Sequence, residues 1–117
     1  MHATVPAKTT VTKTVPGTTA QVDRWGDLQL TLVVKKTTTV VGKKKTVTRR
    51  ITAVNVPLYP NHTSRSIYIN RQAIPILREE VLRAQMSTNI DLVSGATDTS
   101  YAFVQSLQAA IVAAKKA

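Results

Sequence analysis

Cysteine is absent from this chain of 117 residues, and histidine occurs only twice. Without cysteine there can be no disulfide scaffold, no Cys-ligated zinc or iron–sulfur site and no thiol catalysis. Aromatic residues make up only 4% of the chain, and the longest wholly apolar run is the short segment Ala109–Ala114. A membrane-spanning helix needs about 20 apolar residues, so the sequence contains no candidate span.

Acidic residues are also scarce in this sequence. Six Asp and Glu stand against 16 Lys and Arg, which gives a formal net charge of +10. The hydrophobic fraction of 43% is typical of a globular protein, and the length suffices for one domain with a modest core. A small and strongly basic domain first suggests binding to nucleic acid. Whether that hypothesis holds depends on where the charges lie and on the motifs beside them.

The first 17 residues consist mainly of Thr, Val, Lys and Pro and show neither helical nor strand periodicity. This composition predicts a flexible linker over residues 1–17, followed by a single domain over residues 18–117. The N-terminus contains no hydrophobic stretch of the kind found in signal peptides. Because a linker connects two parts, we expect an export signal or a membrane anchor to precede it, and an extracytoplasmic location.

Three segments predict the strands of an antiparallel sheet. Thr18–Arg24 is a candidate first strand, and the glycine in Trp25-Gly26-Asp27 predicts a turn after it. Over Leu28–Val34, apolar and polar residues alternate, which predicts a strand with one buried face. A hairpin at Gly42 then leads to a third strand, Thr46–Leu58. On one face of this third strand we expect Thr52, Val54, Val56 and Leu58.

Two later segments have helical periodicity. Asn70–Gln85 places its apolar residues on one face, with Asn70 as the expected N-cap. The last helix is predicted over Asp98–Ala114, and a short extended piece, Thr88–Val93, lies between the two helices. The order of elements predicts an α+β domain, in which an antiparallel sheet of three to four strands carries two packed helices.

The segment Asp91–Ser100 contains the residues best suited to chemistry. It is predicted to pass through a glycine-containing turn into the last helix, where unpaired N–H groups and the helix dipole favour a phosphate. Gly95 and Ala96 would let a ligand approach the main chain. The hydroxyl groups available for hydrogen bonding or attachment belong to Ser94, Thr97, Thr99 and Ser100. The alternative interpretation is an ordinary helix N-cap, since Ser, Thr and Asp are the usual capping residues.

The sequence Asp91-Leu-Val-Ser94-Gly95-Ala96-Thr97 resembles the flavinylation motif of FMN-binding domains, Asp-x-x-(Ser/Thr)-Gly-Ala-(Thr/Ser). These domains occur in the flavin subunits of the sodium-pumping NADH:quinone oxidoreductase and the Rnf complex, and as small exported bacterial proteins. The resemblance extends from about Thr18 to the C-terminus. It includes the flanking segments Trp25–Leu30, Val54–Val56, Ile74–Gln85 and Thr99–Ala114.

The resemblance implies an electron carrier rather than an enzyme with its own substrate. Its cofactor would be FMN, joined to the Thr97 hydroxyl through a phosphoester by a magnesium-dependent flavin transferase. Asp91 would help to present the motif to that transferase. The electron-transfer partners would be other redox proteins, such as a membrane haem protein. Two alternatives stay open: a non-covalent FMN-binding protein or flavin reductase-like enzyme, and a basic module that binds nucleic acid or another anionic polymer.

Residues outside the motif are also candidates for flavin contact. Tyr59 is expected either to stack on the flavin ring or to be a half-buried loop aromatic, and Ser66 is expected to form a hydrogen bond with the ring. Tyr101 lies off the apolar stripe of the last helix and is expected to face the ligand. Trp25 is interpreted as a core or turn aromatic instead.

Seven basic residues lie on the predicted hairpin, between Lys35 and Arg50. Its lysine-rich segment Lys35–Lys45 is longer than the hairpin usual in the FMN-binding family. No aromatic residues alternate with these charges, and no helix-turn-helix or RNA-binding signature is present. Nucleic acid is therefore less favoured as a partner of the hairpin than anionic lipid, cell-wall polymer or an acidic protein.

Overall fold

A computed structural model describes residues 7–61 and 63–117 of the chain. The described elements are four strands, β1 (Ala7–Pro16), β2 (Ala20–Gln21), β3 (Asp27–Val41) and β4 (Lys44–Leu58), and two helices, α1 (Ser64–Ala84) and α2 (Thr97–Lys116). The strands form one antiparallel sheet, and both helices pack on it. The predicted α+β architecture is confirmed.

Strand β3 is the centre of the sheet. It pairs with β4 along one side, and with β1 and then β2 along the other. Its residues Leu28, Leu30, Leu32 and Val34 are fully buried, as the alternation in the sequence predicts. Strand β2, at two residues, is shorter than the predicted strand Thr18–Arg24. The predicted hairpin at Gly42 is confirmed, and this glycine has a φ of 60°.

The flexible linker predicted over residues 1–17 is not observed where the structure describes this segment. Ala7–Pro16 forms strand β1, which pairs with β3 from Ala7↔Val40 to Pro16↔Thr31. Its Thr and Val residues are β-branched, and their side chains are mostly exposed, so hydrophobic alternation does not mark the strand. Residues 1–6 lie outside the described part of the chain.

The predicted buried face of the third strand is corrected by two irregularities in its pairing. Between the pairs Val33↔Ala53 and Val34↔Ile51, residue Thr52 has no opposite partner, as in a β-bulge. The bulge lets both Ile51 and Val54 point into the core, although they are three positions apart. A second shift between Gln29 and Thr31 leaves Leu58 exposed. Thr52 is exposed as well.

Helix α1 begins six residues earlier than the sequence predicts. Thr63 is its N-cap, and its Oγ1 accepts a hydrogen bond of 3.0 Å from the Ser66 backbone N–H. Asn70, the predicted cap, is instead buried in the second turn, and Pro75 lies inside the helix. The second helix closely matches its prediction. The predicted extended piece Thr88–Val93 forms no strand.

Strands β1, β3 and β4 continue well beyond the part of the sheet that the helices cover. The last buried residues are Val34 on β3 and Ile51 on β4, and β3 runs on to the turn at Gly42, about 27 Å further at the usual rise per residue. We call this extension, residues 7–13 and 35–50, the basic arm. It explains the radius of gyration of 17.6 Å, where a compact chain of this length would have about 13 Å.

Candidate functional site

The motif loop reaches helix α2 through a tight turn. The Ala96 N–H donates a hydrogen bond of 3.0 Å to the Val93 carbonyl, and Gly95 within the turn has a φ of 83°. A side chain is disfavoured at this φ, which explains the glycine. A Cβ on Gly95 would meet no heavy atom within 4 Å, so the space beside it is open.

Helix α2 begins at Thr97 without a side-chain cap. Ala96 occupies the N-cap position, and its methyl group cannot accept a hydrogen bond. The first N–H groups of any helix lack intrahelical partners, and together with the helix dipole they favour an anion. Thr97 itself is exposed, as is Asp98 in the same turn. Among the residues that the structure describes, the first N–H groups of α2 and the Thr97 hydroxyl have no hydrogen-bond partner, so they are available at the protein surface.

Thr99 and Ser100 were predicted to contact the cofactor, but their hydroxyl groups bond within the protein. The Ser100 Oγ donates to the Ala96 carbonyl at 2.8 Å and accepts from the Val93 N–H at 3.0 Å, so it fixes the turn from inside. The Thr99 Oγ1 donates to the Asn70 Oδ1 at 2.8 Å. Both side chains are at least 96% buried. Their observed contacts position the motif.

Asn70 connects three parts of the site. Besides accepting from Thr99, its Nδ2 donates to the Pro60 carbonyl at 2.8 Å. The amide therefore joins α1 to the first turn of α2 and to the loop that follows β4. Asn70 is 2% exposed, so both bonds are shielded from water. A buried amide with both ends paired fixes the relative positions of these elements.

A cavity of about 260 Å³ lies beside the start of α2. Four parts of the chain line it: the turn between β2 and β3, the loop after β4, the first turns of α1, and the motif. The lining residues are Val22, Asp23, Arg24, Trp25, Pro60, Arg65, Ser66, Ile69, Asn70, Gly95, Ala96, Thr97, Asp98 and Thr99. Five of the predicted site residues therefore line one cavity: Ser66, Gly95, Ala96, Thr97 and Thr99.

Two arginines give the cavity a partly basic wall. Arg24 and Arg65 both line it, and the negatively charged side chains of Asp23 and Asp98 line it as well. The Arg24 guanidinium carbon lies 5.1 Å from the centroid of the Trp25 ring, within the range of a cation–π contact. Trp25 is half-buried and lines the cavity, whereas we interpreted it from the sequence as a core or turn aromatic.

Other predicted residues lie elsewhere. Tyr59 does not line this cavity but lines a second cleft with Val56, Arg71, Pro75 and others, and Asn70 borders both. Ser94 and Asp91 are exposed on the motif loop but do not line the cavity. Tyr101 is 61% exposed on the surface of α2 and also lies outside the cavity.

Sequence reasoning missed Arg24 and Arg65 as members of the site. Arg24 directly precedes the predicted turn at Trp25-Gly26, and Arg65 follows the Thr63 cap by two positions. The available signal was a cation next to a turn or a helix start, which is too common in sequences to single out these two. Within the described residues, no group of three His, Asp or Glu residues is arranged to hold a metal ion. No helix of the described chain is long and apolar enough to cross a membrane.

Comparison with known proteins gives no relative: no protein-family model, curated protein or solved structure matches the chain.

Proposed function

We propose that this protein is an electron carrier whose FMN is attached through a phosphoester to the hydroxyl of Thr97. The observation that carries the proposal is the exposed Thr97 hydroxyl at an uncapped helix start that opens on a cavity. The motif Asp91–Thr97, with its resemblance to the flavinylation motif of FMN-binding domains, names the ligand. When bound, FMN supplies reversible one- and two-electron transfer.

The residues around Thr97 fit a phosphodiester. Such a group keeps one negative charge, which the free N–H groups and the helix dipole would stabilise by about 0.3–1 kcal/mol at an exposed site. Arg24 and Arg65 line the same cavity and provide positive charge. Asp23 and Asp98 also line the cavity and carry a like charge. All four charged side chains are exposed, so water weakens the attraction of the arginines and the repulsion of the carboxylates alike.

The cavity also fits part of an aromatic ring. Trp25, Val22, Ile69 and Pro60 supply aromatic and aliphatic walls. The volume of about 260 Å³ lies slightly below the range of roughly 300–1,000 Å³ that is usual for small-molecule pockets. It therefore suits a ligand that is only partly enclosed. A partly enclosed flavin leaves an edge accessible to a redox partner, which an electron carrier requires.

The exposure of the motif supports modification by a second enzyme. Asp91, Ser94, Gly95 and Thr97 are all exposed, so a magnesium-dependent flavin transferase could reach these four positions without unfolding the domain, although Ala96 between them is buried. Asp91 is proposed to contact that transferase rather than the flavin, since it does not line the cavity. Covalent attachment prevents loss of the cofactor, which suits a carrier outside the cytoplasm that exchanges electrons with other proteins, such as a membrane haem protein.

The test is coexpression with a bacterial flavin transferase, followed by intact mass measurement under denaturing conditions. We expect a mass gain of FMN minus water, retained in Thr97→Ser and abolished in Thr97→Ala. Thr88→Ala is the matched control, because it removes a hydroxyl from the same loop outside the motif. It should be flavinylated like the original chain.

Two outcomes would contradict the proposal. Yellow protein that shows no mass gain and loses its colour on denaturation would favour non-covalent FMN binding. Protein that gains no mass and binds no added FMN would exclude the flavin function altogether.

A further inference from the structure

The charge of the protein is concentrated in the basic arm. Nine of the 16 basic residues lie in residues 7–13 and 35–50, and none of the 6 acidic residues does. The remaining seven basic and six acidic residues nearly cancel. Strand β1 contributes Lys8 and Lys13 to this surface, which the sequence-based interpretation of the hairpin did not include. The arm is thus a positively charged projection on an almost neutral body.

The arm also exposes apolar side chains. Val11, Val40, Val41 and Val47 are each at least 36% exposed, and all four belong to the arm. Val40 and Val41 directly precede the turn at Gly42, and Lys43, Lys44 and Lys45 follow it. Adjacent residues of a strand point to opposite faces of the sheet, so Val40 and Val41 make the apex apolar on both sides.

This combination distinguishes between possible anionic partners. Lysines alone would suit any polyanion, because phosphate attracts them without regard to what carries it. Exposed valines gain nothing from a phosphodiester chain in water, whereas at a bilayer they enter the boundary between headgroups and acyl chains. We propose that the apex of the basic arm, Val40–Lys45, docks on an anionic lipid bilayer.

The geometry favours an approach with the apex first. Both helices stand on one face of the sheet, so that face cannot lie flat on a bilayer without collision. The opposite face is not covered by the helices, but a bilayer lying flat on it would meet only one of Val40 and Val41, whereas an apex-first approach brings both to the bilayer. The three lysines beside them then lie at the level of the lipid phosphates, where each contributes roughly a fivefold gain in binding.

The same orientation would leave the cavity free. The C-terminal end of α2 lies at the base of the arm, where the Arg49 Nε donates to the Ala117 carbonyl at 3.0 Å. Thr97 is at the other end of this helix of 20 residues, about 30 Å away. Docking by the apex therefore directs the cavity away from the bilayer.

Lysines on exposed strands also have a purely protective role, because they discourage pairing between sheet edges. Such a role requires neither the valines at the apex nor any selectivity for lipid. The two explanations therefore predict different results from the same variants.

The test is co-sedimentation of the purified chain with vesicles. The vesicles contain either phosphatidylcholine alone or equal parts of phosphatidylcholine and phosphatidylglycerol. Duplex DNA, tested at the same ionic strength, is the competing polyanion. The charge variant is K43Q/K44Q/K45Q, the apolar variant is V40T/V41T, and the charge-matched control is R71Q/R78Q/K116Q on the helices. Thermal unfolding of each variant verifies that it is folded.

We expect binding to the phosphatidylglycerol vesicles only, weakened about 100-fold in the charge variant and changed far less in the control. The apolar variant should bind these vesicles about tenfold more weakly and bind DNA unchanged. Three results would each overturn the proposal. They are no binding to anionic vesicles, an equal loss of vesicle binding in the charge variant and its control, and an apolar variant that binds vesicles as tightly as the original chain. Tight DNA binding that abolishes vesicle binding would favour nucleic acid instead.

Discussion

Gly17 provides a sharp test of the packing between the segment that follows β1 and helix α2. A Cβ at this position would clash with the Ser106 carbonyl oxygen and would lie 2.5 Å from the Ser106 Oγ. The carbonyl belongs to the backbone of α2 and cannot rotate away, so Gly17→Ala must push the strand and the helix apart. Overpacking of this kind costs about 1–3 kcal/mol.

The same displacement would strain two further bonds. The Gly17 N–H donates to the Leu30 carbonyl at 2.9 Å, and the Leu30 N–H donates to the Ser106 Oγ at 3.1 Å. Weakening one of them adds about 1 kcal/mol, so we expect Gly17→Ala to lower the free energy of unfolding by about 2–4 kcal/mol. In a domain of this size that corresponds to a loss in Tm of roughly 10 °C or more.

Urea denaturation followed by circular dichroism measures this loss. Gly42→Ala is the matched control, since its φ is 60° and a Cβ there would meet nothing within 4 Å. It should cost only about 1 kcal/mol, from the left-handed backbone alone. If Gly17→Ala destabilises the protein no more than Gly42→Ala does, the close packing of the segment after β1 against α2 is refuted.

Three further substitutions test the hydrogen bonds around the motif. Asn70→Ala leaves the Thr99 hydroxyl and the Pro60 carbonyl without their partner, so it should lower the free energy of unfolding by about 2–4 kcal/mol. In a double-mutant cycle with Thr99→Val, measured by urea denaturation, strictly additive losses would contradict the hydrogen bond between the two side chains. Ser100→Ala removes the acceptor of the Val93 N–H, so it should lower the free energy of unfolding by about 1–3 kcal/mol and slow the flavinylation of Thr97. An unchanged rate of mass gain would show that flavinylation does not depend on this hydrogen bond. Thr63→Ala removes the N-cap of α1 and should lower the free energy of unfolding by about 1 kcal/mol. An unchanged midpoint of urea denaturation would mean that another group caps this helix.

The sequence predicts those elements whose periodicity reflects burial on one face. The alternation over Leu28–Val34 and the apolar stripe of the last helix both correspond to buried residues, and the fold class follows from their order. Strand β1 escaped prediction because its side chains are mostly exposed, and its order arises from backbone pairing with β3. Pairing partners distant in sequence leave no local pattern.

The bulge at Thr52 had a similar effect on the predicted core. Period-2 alternation assumes regular pairing, so a single unpaired residue moves Ile51 into the core and Thr52 out of it. The helix cap was misplaced because Asn70 is a good capping residue by type, whereas Thr63 actually bonds the Ser66 N–H. Residue type alone does not decide between two possible caps seven residues apart.

The candidate site was predictable only in its local part. Gly95, Ala96 and Thr97 are adjacent in sequence, and the glycine turn before a helix indicated their arrangement. Arg24, Trp25 and Arg65 join them only through the folding of the sheet and α1. The internal hydrogen bonds of Thr99 and Ser100 were not predictable for the same reason, because the partners of their hydroxyl groups become known only from the fold.

The most direct test of the proposed function is to locate the flavin on the chain. Protein coexpressed with a flavin transferase is digested, and the fluorescent peptide is sequenced by tandem mass spectrometry. We expect one modified peptide, which carries FMN minus water on Thr97. A flavin on any other residue, or the complete absence of a flavinylated peptide, would contradict the proposal that Thr97 is the attachment site.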